Sequence, residues 1–385
     1  MDPSTLSSGI TSSSALSLVS SVRHATSVPP TFLSGLDALL HSSDTEPLRR
    51  GDVVELQGLP GSGKTALLLH LAATTLLPRF AYVRFEDLRG GPGVACVEVG
   101  GKEEVVAFLD CSARAFPISR LSALLRRHLR LAIRRYRAPK GLGAPREEEL
   151  DALVEEALSR LHVFKPSSTL QLAVTVQDLP VWAADRAEQN GDDEPELGMV
   201  LIDGMSEFAW ADQLTRENAA ATTTSSSTPP TPPLRLLLRA IANLRASLSP
   251  LIFLTQWVFR PSSVLSQTSQ ESLPFYTHHF APPHWPSISS APRPAGKDPL
   301  EAPIVGVGAE RWPSFPLALH ITLHPPEKGV FRRGSKWSEV TAERAGGKGA
   351  KEGDATEGIK CVVRAPGGRE LGSWEMSVAE EEITT

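Results

Sequence analysis

The chain predicts an α/β fold in which a mostly parallel central sheet is flanked by helices, with antiparallel strands added at the C-terminal end. Three observations carry that expectation. Short apolar, β-branched runs alternate with segments of helical periodicity, the pattern of successive βαβ units. Several runs are apolar at every position, such as 105–109 and 199–202, so both faces of those strands are covered. A glycine-rich octapeptide at 58–65 stands between the first run and the first long helix.

The elements follow in order. Phe32, Leu33, Leu36, Leu39 and Leu40 recur at helical spacing, so a short amphipathic helix leads into the fold. The run at 51–58 is a strand bounded by glycines, and the leucine-rich segment to about Leu77 is a helix. A second buried strand falls at 105–110, followed by helices at 117–136 and 147–160. Strands at 161–164, 199–203 and 251–255 alternate with helices at 169–182 and 234–248. The segments 317–323, 359–364 and 370–377 read as strands separated by turn residues, and are expected as antiparallel additions to one edge.

Composition bounds the organisation. With 385 residues, 41% hydrophobic and 22% charged, the chain has the make-up of a globular protein. Its 32 prolines and 29 glycines cluster, so a disordered Ser/Thr-rich tail is expected at 1–30. One domain over 31–385 then carries disordered insertions near 219–233, 261–313 and 345–358. The net charge of −5 excludes a global field that would draw the protein onto nucleic acid. Cys96, Cys111 and Cys361 have no metal-ligand spacing and fit a reducing compartment. No apolar run approaches the 18 to 20 or so residues that cross a bilayer, so a soluble protein without membrane partners is expected.

The residues Gly58, Leu59, Pro60, Gly61, Ser62, Gly63, Lys64 and Thr65 match the phosphate-binding loop in full, in the strand-then-helix setting that it requires. The glycines let the backbone turn its N–H groups inward, and the new helix offers its positive dipole end to phosphate. Lys64 would reach the β and γ phosphates of ATP, and the Thr65 hydroxyl would take a magnesium position. Asp203 closes an apolar strand, where such a site places the acid that holds the shell of the Mg2+ ion. Asp110 closes an equally apolar strand and is a rival. Gln256 lies at the end of the 251–255 run, from which a side chain could touch a γ-phosphate.

The order of these segments resembles eukaryotic RecA-type recombinase paralogues: the phosphate loop, the strand ending at Asp110, Leu161-His162-Val163-Phe164, and Leu254-Thr255-Gln256. One branch shows an Ile-Asp-x-x-Ser-x-Phe-x-Trp segment, present here as Ile202, Asp203, Ser206, Phe208 and Trp210. The resemblance implies a RecA-type P-loop NTPase domain. It also implies an ATP-binding accessory subunit in homologous-recombination repair, in the nucleus. Partners would be other recombinase paralogue subunits in a hetero-oligomer, with single-stranded or branched DNA contacted through the complex. Active members carry a glutamate where this chain has Ser112, and a serine is a poor base at neutral pH. Hydrolysis is therefore expected to be weak or absent, and no catalytic residue is assigned.

The 117–136 helix carries Arg126, Arg130 and Arg134 on one face, readable as a solvated basic stripe or as a surface for phosphate or an acidic partner. Two other readings of the chain remain open from sequence: a DNA-dependent ATPase that remodels recombination intermediates, and a P-loop small-molecule kinase.

Overall fold

Side-chain alternation sets the layers. In β4 (Val105–Asp110), Val106 and Phe108 face one core while Val105, Ala107 and Leu109 face another. The strands β6 (Leu197–Asp203) and β7 (Leu251–Pro261) repeat the division, with Met199, Leu201, Leu251 and Phe253 on the first side and Val200, Ile202, Ile252 and Leu254 on the second. Strands apolar on both sides are stable only between two covering layers. The computed structural model of the chain describes residues 31–40, 48–86, 92–190, 195–222, 233–261, 276–278, 304–305, 311–312, 317–324, 358–365, 369–378 and 383–384.

The first face is covered by α1 (Ser34–Leu40), α2 (Lys64–Leu76), α3 (Ile118–Arg137) and α4 (Glu147–Ser159), the second by α5 (Thr169–Asn190) and α7 (Pro233–Leu248). Between α5 and α7, α6 (Ala209–Thr222) follows β6. The remaining strands are β1 (Val53–Gly58), β2 (Phe80–Glu86), β3 (Pro92–Glu98), β5 (Leu161–Phe164), β8 (Tyr276–His278), β9 (Ile304–Val305), β10 (Arg311–Trp312), β11 (Leu317–His324), β12 (Ile359–Arg364), β13 (Glu370–Val378) and β14 (Ile383–Thr384). A ten-stranded sheet runs β14-β13-β12-β11-β1-β7-β6-β4-β5, with β8 beside β7. The stretch from β11 to β5 is parallel, and β12, β13 and β14 continue it antiparallel. The carboxyl ends of β1, β6 and β4 share one rim, where α/β sheets hold their ligands.

Several elements differ from the sequence expectation. The segment at 317–324 pairs parallel with β1, so only β12 and the strands after it are antiparallel additions; the long chain between β7 and β11 supplies the length that a parallel crossover needs. The α5 helix runs through Pro180 to Asn190 instead of stopping near Trp182. Packing holds its second half, since Trp182 meets His162 and Phe164 edge-on at 4.8 and 5.6 Å. The β7 strand continues to Pro261 because β8 pairs with its extension.

Unanticipated altogether was the hairpin of β2 and β3, which buries Ala81, Val83, Phe85 and Val97 and exposes Phe80, Tyr82 and Val94. Phe85 stacks on Tyr136 of α3 at 5.9 Å. Within the stretches expected to be disordered, α6 reaches Thr222, α7 begins at Pro233, and β8, β9 and β10 form short strands in 261–313. Most of those stretches, including 1–30 and 345–357, lie outside the described residues. Among the described residues no helix is long and apolar enough to cross a membrane.

Candidate functional site

The loop between β1 and α2 needs its glycines. Gly61 and Gly63 take φ of 79° and 86°, in the left-handed region that side chains disfavour. A Cβ on Gly58 would stand 2.7 Å from the Leu323 carbonyl of β11. No side chain caps α2, so the orphan amides of its first turn are left to another acceptor. The Lys64 ammonium curls back and donates to the carbonyls of Gly58 at 2.8 Å and Leu59 at 2.9 Å. Burial pushes its pKa down to about 8, against the opposing pull of the Asp203 charge. Over Gly63 lie Ile359 and Met376 from the terminal strands, a placement no local pattern announces.

Asp203 ends β6 beside this loop. Its Oδ2 accepts from the Thr65 hydroxyl at 2.7 Å and its Oδ1 from the Thr255 hydroxyl at 2.8 Å. Thr255 also accepts from the Gly204 N–H at 2.7 Å. Burial holds the Asp203 carboxyl above the usual carboxylate range, although both hydroxyl bonds favour its charge. Thr65 and Asp203 together form a hard-oxygen pair that could hold a divalent ion. Asp110, its neighbour in register, is engaged otherwise. Its Oδ1 accepts from the Ser112 hydroxyl at 2.6 Å and the Ser112 N–H at 3.0 Å, and its Oδ2 faces Lys165 Nζ at 3.2 Å.

Gln256 sits opposite Gln57 of β1, next to the loop. Its Oε1 accepts from the Ser206 hydroxyl at 3.2 Å, and its buried Nε2 has no partner among the described residues. Ser206 also accepts from the Trp257 N–H at 3.1 Å. The turn after β6 is thereby tied to the end of β7. Sequence reading missed Thr255, Lys165 and Glu207 as site residues. Lys165 follows a strand end, its one available signal, whereas Thr255 lies inside β7 just before Gln256. Glu207 is half-buried beside the strand ends, and burial together with the Asp203 charge raises its pKa.

The arginine row of α3 meets acids of its own chain. Arg126 pairs with Asp151 at 2.7 Å and Arg130 with Glu147 at 2.8 Å, both acids on α4. Two of the three residues read as a surface for a partner are therefore satisfied internally, and Arg134 remains exposed.

The parallel sheet, the glycine loop ahead of α2 and the strand-end acids define a RecA-type α/β domain with the phosphate-loop signature. No protein-family model matches the chain. It is distantly related to the recombinase paralogues: the DNA repair protein XRCC2 homolog of Arabidopsis thaliana is 25% identical over 182 residues, 44% of this chain and 44% of that protein. The match thus spans less than half of the relative's length.

Proposed function

We propose that residues 58–65 bind ATP with magnesium, and that the chain is an accessory subunit in homologous-recombination repair of DNA double-strand breaks, assisting recombinase filament assembly on single-stranded DNA. The observation that carries the nucleotide half is the Thr65–Asp203 hydrogen bond, which joins the last loop residue to a strand end 138 residues away. The residues fit the ligand: uncapped amides at the start of α2 suit phosphate oxygens, and Lys64 would exchange two carbonyls for the β and γ phosphates. Thr65 would bind magnesium directly and Asp203 through water. The bound ion neutralises charge on the phosphates. Gln256 would face the γ-phosphate and relay its presence to Ser206. Ser112, occupied by Asp110, makes a poor base, so hydrolysis is weak and ATP acts mainly as an ordering ligand.

The recombination half rests on the segment from Ile202 to Trp210 and on the similarity to a DNA repair protein. Other RecA-type paralogue subunits are the partners, in the nucleus. Supporting this, β5 ends the sheet with Val163 exposed, and α5 exposes Leu170, Val174 and Val181; an open sheet edge with apolar side chains invites a protein partner. DNA is reached through the complex, because Arg126 and Arg130 are already paired.

Calorimetric titration of the folded chain with ATP and magnesium tests the first half, with binding expected for the natural chain and lost in Lys64→Ala. Absence of heat from the natural chain refutes it. Coprecipitation from the source cell tests the second: recombinase-like subunits are expected, and metabolic enzymes alone would count against it.

A further inference from the structure

We infer that Glu207 supplies the carboxylate missing at Ser112, orienting the water that attacks the terminal phosphate of ATP, so that a slow hydrolysis runs through this residue. The inference rests on the nucleotide-binding reading above. Ser112 cannot act, because both its hydroxyl and its N–H are given to Asp110. The Asp203 oxygens take the hydroxyls of Thr65 and Thr255, and Asp110 carries Lys165 as well as Ser112. Glu207 is a further carboxylate beside these strand ends, half-buried and within reach of the charges of Asp203, Arg114 and Asp110.

Backbone geometry brings it there. Gly204 takes φ of 82°, and the turn closes with the Glu207 N–H donating to the Gly204 carbonyl at 2.8 Å. The reversal folds Glu207 back over Gly204. A single methyl-sized probe on Gly204 would lie 3.7 Å from Cys111 Cβ and 3.9 Å from Glu207 Oε2. The carboxylate therefore stands beside Cys111, one residue from the place that Ser112 vacates in function. It arrives from the end of β6 instead of the end of β4. Cys111 is itself held to that strand end, its N–H donating to the Asp203 carbonyl at 3.0 Å.

In the step, the water oxygen forms a bond to the γ-phosphorus as the bond from that phosphorus to the β,γ-bridging oxygen breaks. The electron pair leaves on ADP. The Glu207 carboxylate takes the water proton and later returns it to solvent, leaving inorganic phosphate.

Single-turnover hydrolysis with radiolabelled ATP, and titrations with ATP and with ADP, are measured on the full chain, Glu207→Gln, and Glu207→Gln combined with Ser112→Glu. Slow turnover is expected from the natural chain. Glu207→Gln should lower it about 10²-fold while keeping ADP affinity and raising ATP affinity several-fold, since a negative charge beside the γ-phosphate is gone. The Ser112→Glu addition should restore turnover. Equal turnover with and without Glu207 overturns the inference, as does a natural chain that binds ATP and never hydrolyses it, or an unchanged ratio of ATP to ADP affinity. A natural chain that binds no ATP instead sinks the reading of the loop, and this inference with it.

Discussion

Replacing Thr255 with valine keeps the side-chain shape and removes one oxygen. Thr255 is fully buried. Its hydroxyl donates to Asp203 Oδ1 at 2.8 Å and accepts from the Gly204 N–H at 2.7 Å. Thr255→Val leaves the Gly204 amide unsatisfied, which costs about 1–3 kcal/mol, and deprives a charged acceptor of one bond, about 1.5–3 kcal/mol. The extra apolar methyl offsets roughly 1 kcal/mol, so a net loss of about 1.5–5 kcal/mol is expected. Urea unfolding at neutral pH measures it. Thr255→Ser retains the hydroxyl, loses one methyl, and should cost only about 1 kcal/mol. The same change removes a bond that favours the Asp203 carboxylate, so the magnesium dependence of ATP binding should weaken in Thr255→Val and persist in Thr255→Ser. A valine variant within about 0.5 kcal/mol of the natural chain would refute the argument that this hydroxyl positions Asp203.

Acid should destabilise the fold through His128. Burial, with the charges of His70, Arg127 and Arg135, depresses its pKa to about 3, below an unfolded value of about 6.5. The unfolded chain therefore takes up the proton first, and stability present above about pH 6.5 is lost as pH falls toward 3, at up to about 1.4 kcal/mol per pH unit. Unfolding free energies from urea titration at pH 7 and pH 5 should differ by about 2 kcal/mol for the natural chain and by clearly less for His128→Leu; equal differences would remove His128 as the cause. Two glycines should separate steric from conformational need. A Cβ on Gly101 would lie 1.9 Å from the Leu77 carbonyl, backbone against backbone, whereas one on Gly61 meets nothing within 4 Å. Gly101→Ala should cost more than about 4 kcal/mol and Gly61→Ala, at φ of 79°, about 1–2 kcal/mol; similar melting temperatures for the two variants would contradict this.

Much of the site was legible because its parts are local. The loop from Gly58 to Thr65 works through backbone turns that only its own glycines permit, and helix and strand patterns around it repeat at fixed periods. The hairpin of β2 and β3 was not legible. Its outward positions carry Phe80 and Tyr82, which blur the apolar–polar alternation, and what buries its inner face is α3 with Tyr136, far along the chain. The direction of β11 was hidden for the same reason: a strand's own residues do not say which neighbour it meets.

The amino-acid order alone determined that a phosphate-type loop joins a strand to a helix, that apolar strands must be sandwiched, and that position 112 holds no carboxylate. Each of these is written within a few consecutive residues. Only the tertiary structure decided that Thr65 meets Asp203 while Asp110 turns to Lys165 and Ser112, that Arg126 and Arg130 find acids on α4, and that Glu207 folds back beside Cys111. Those pairings depend on strand order and register, which arise from packing the whole sheet between its helices and have no local signature.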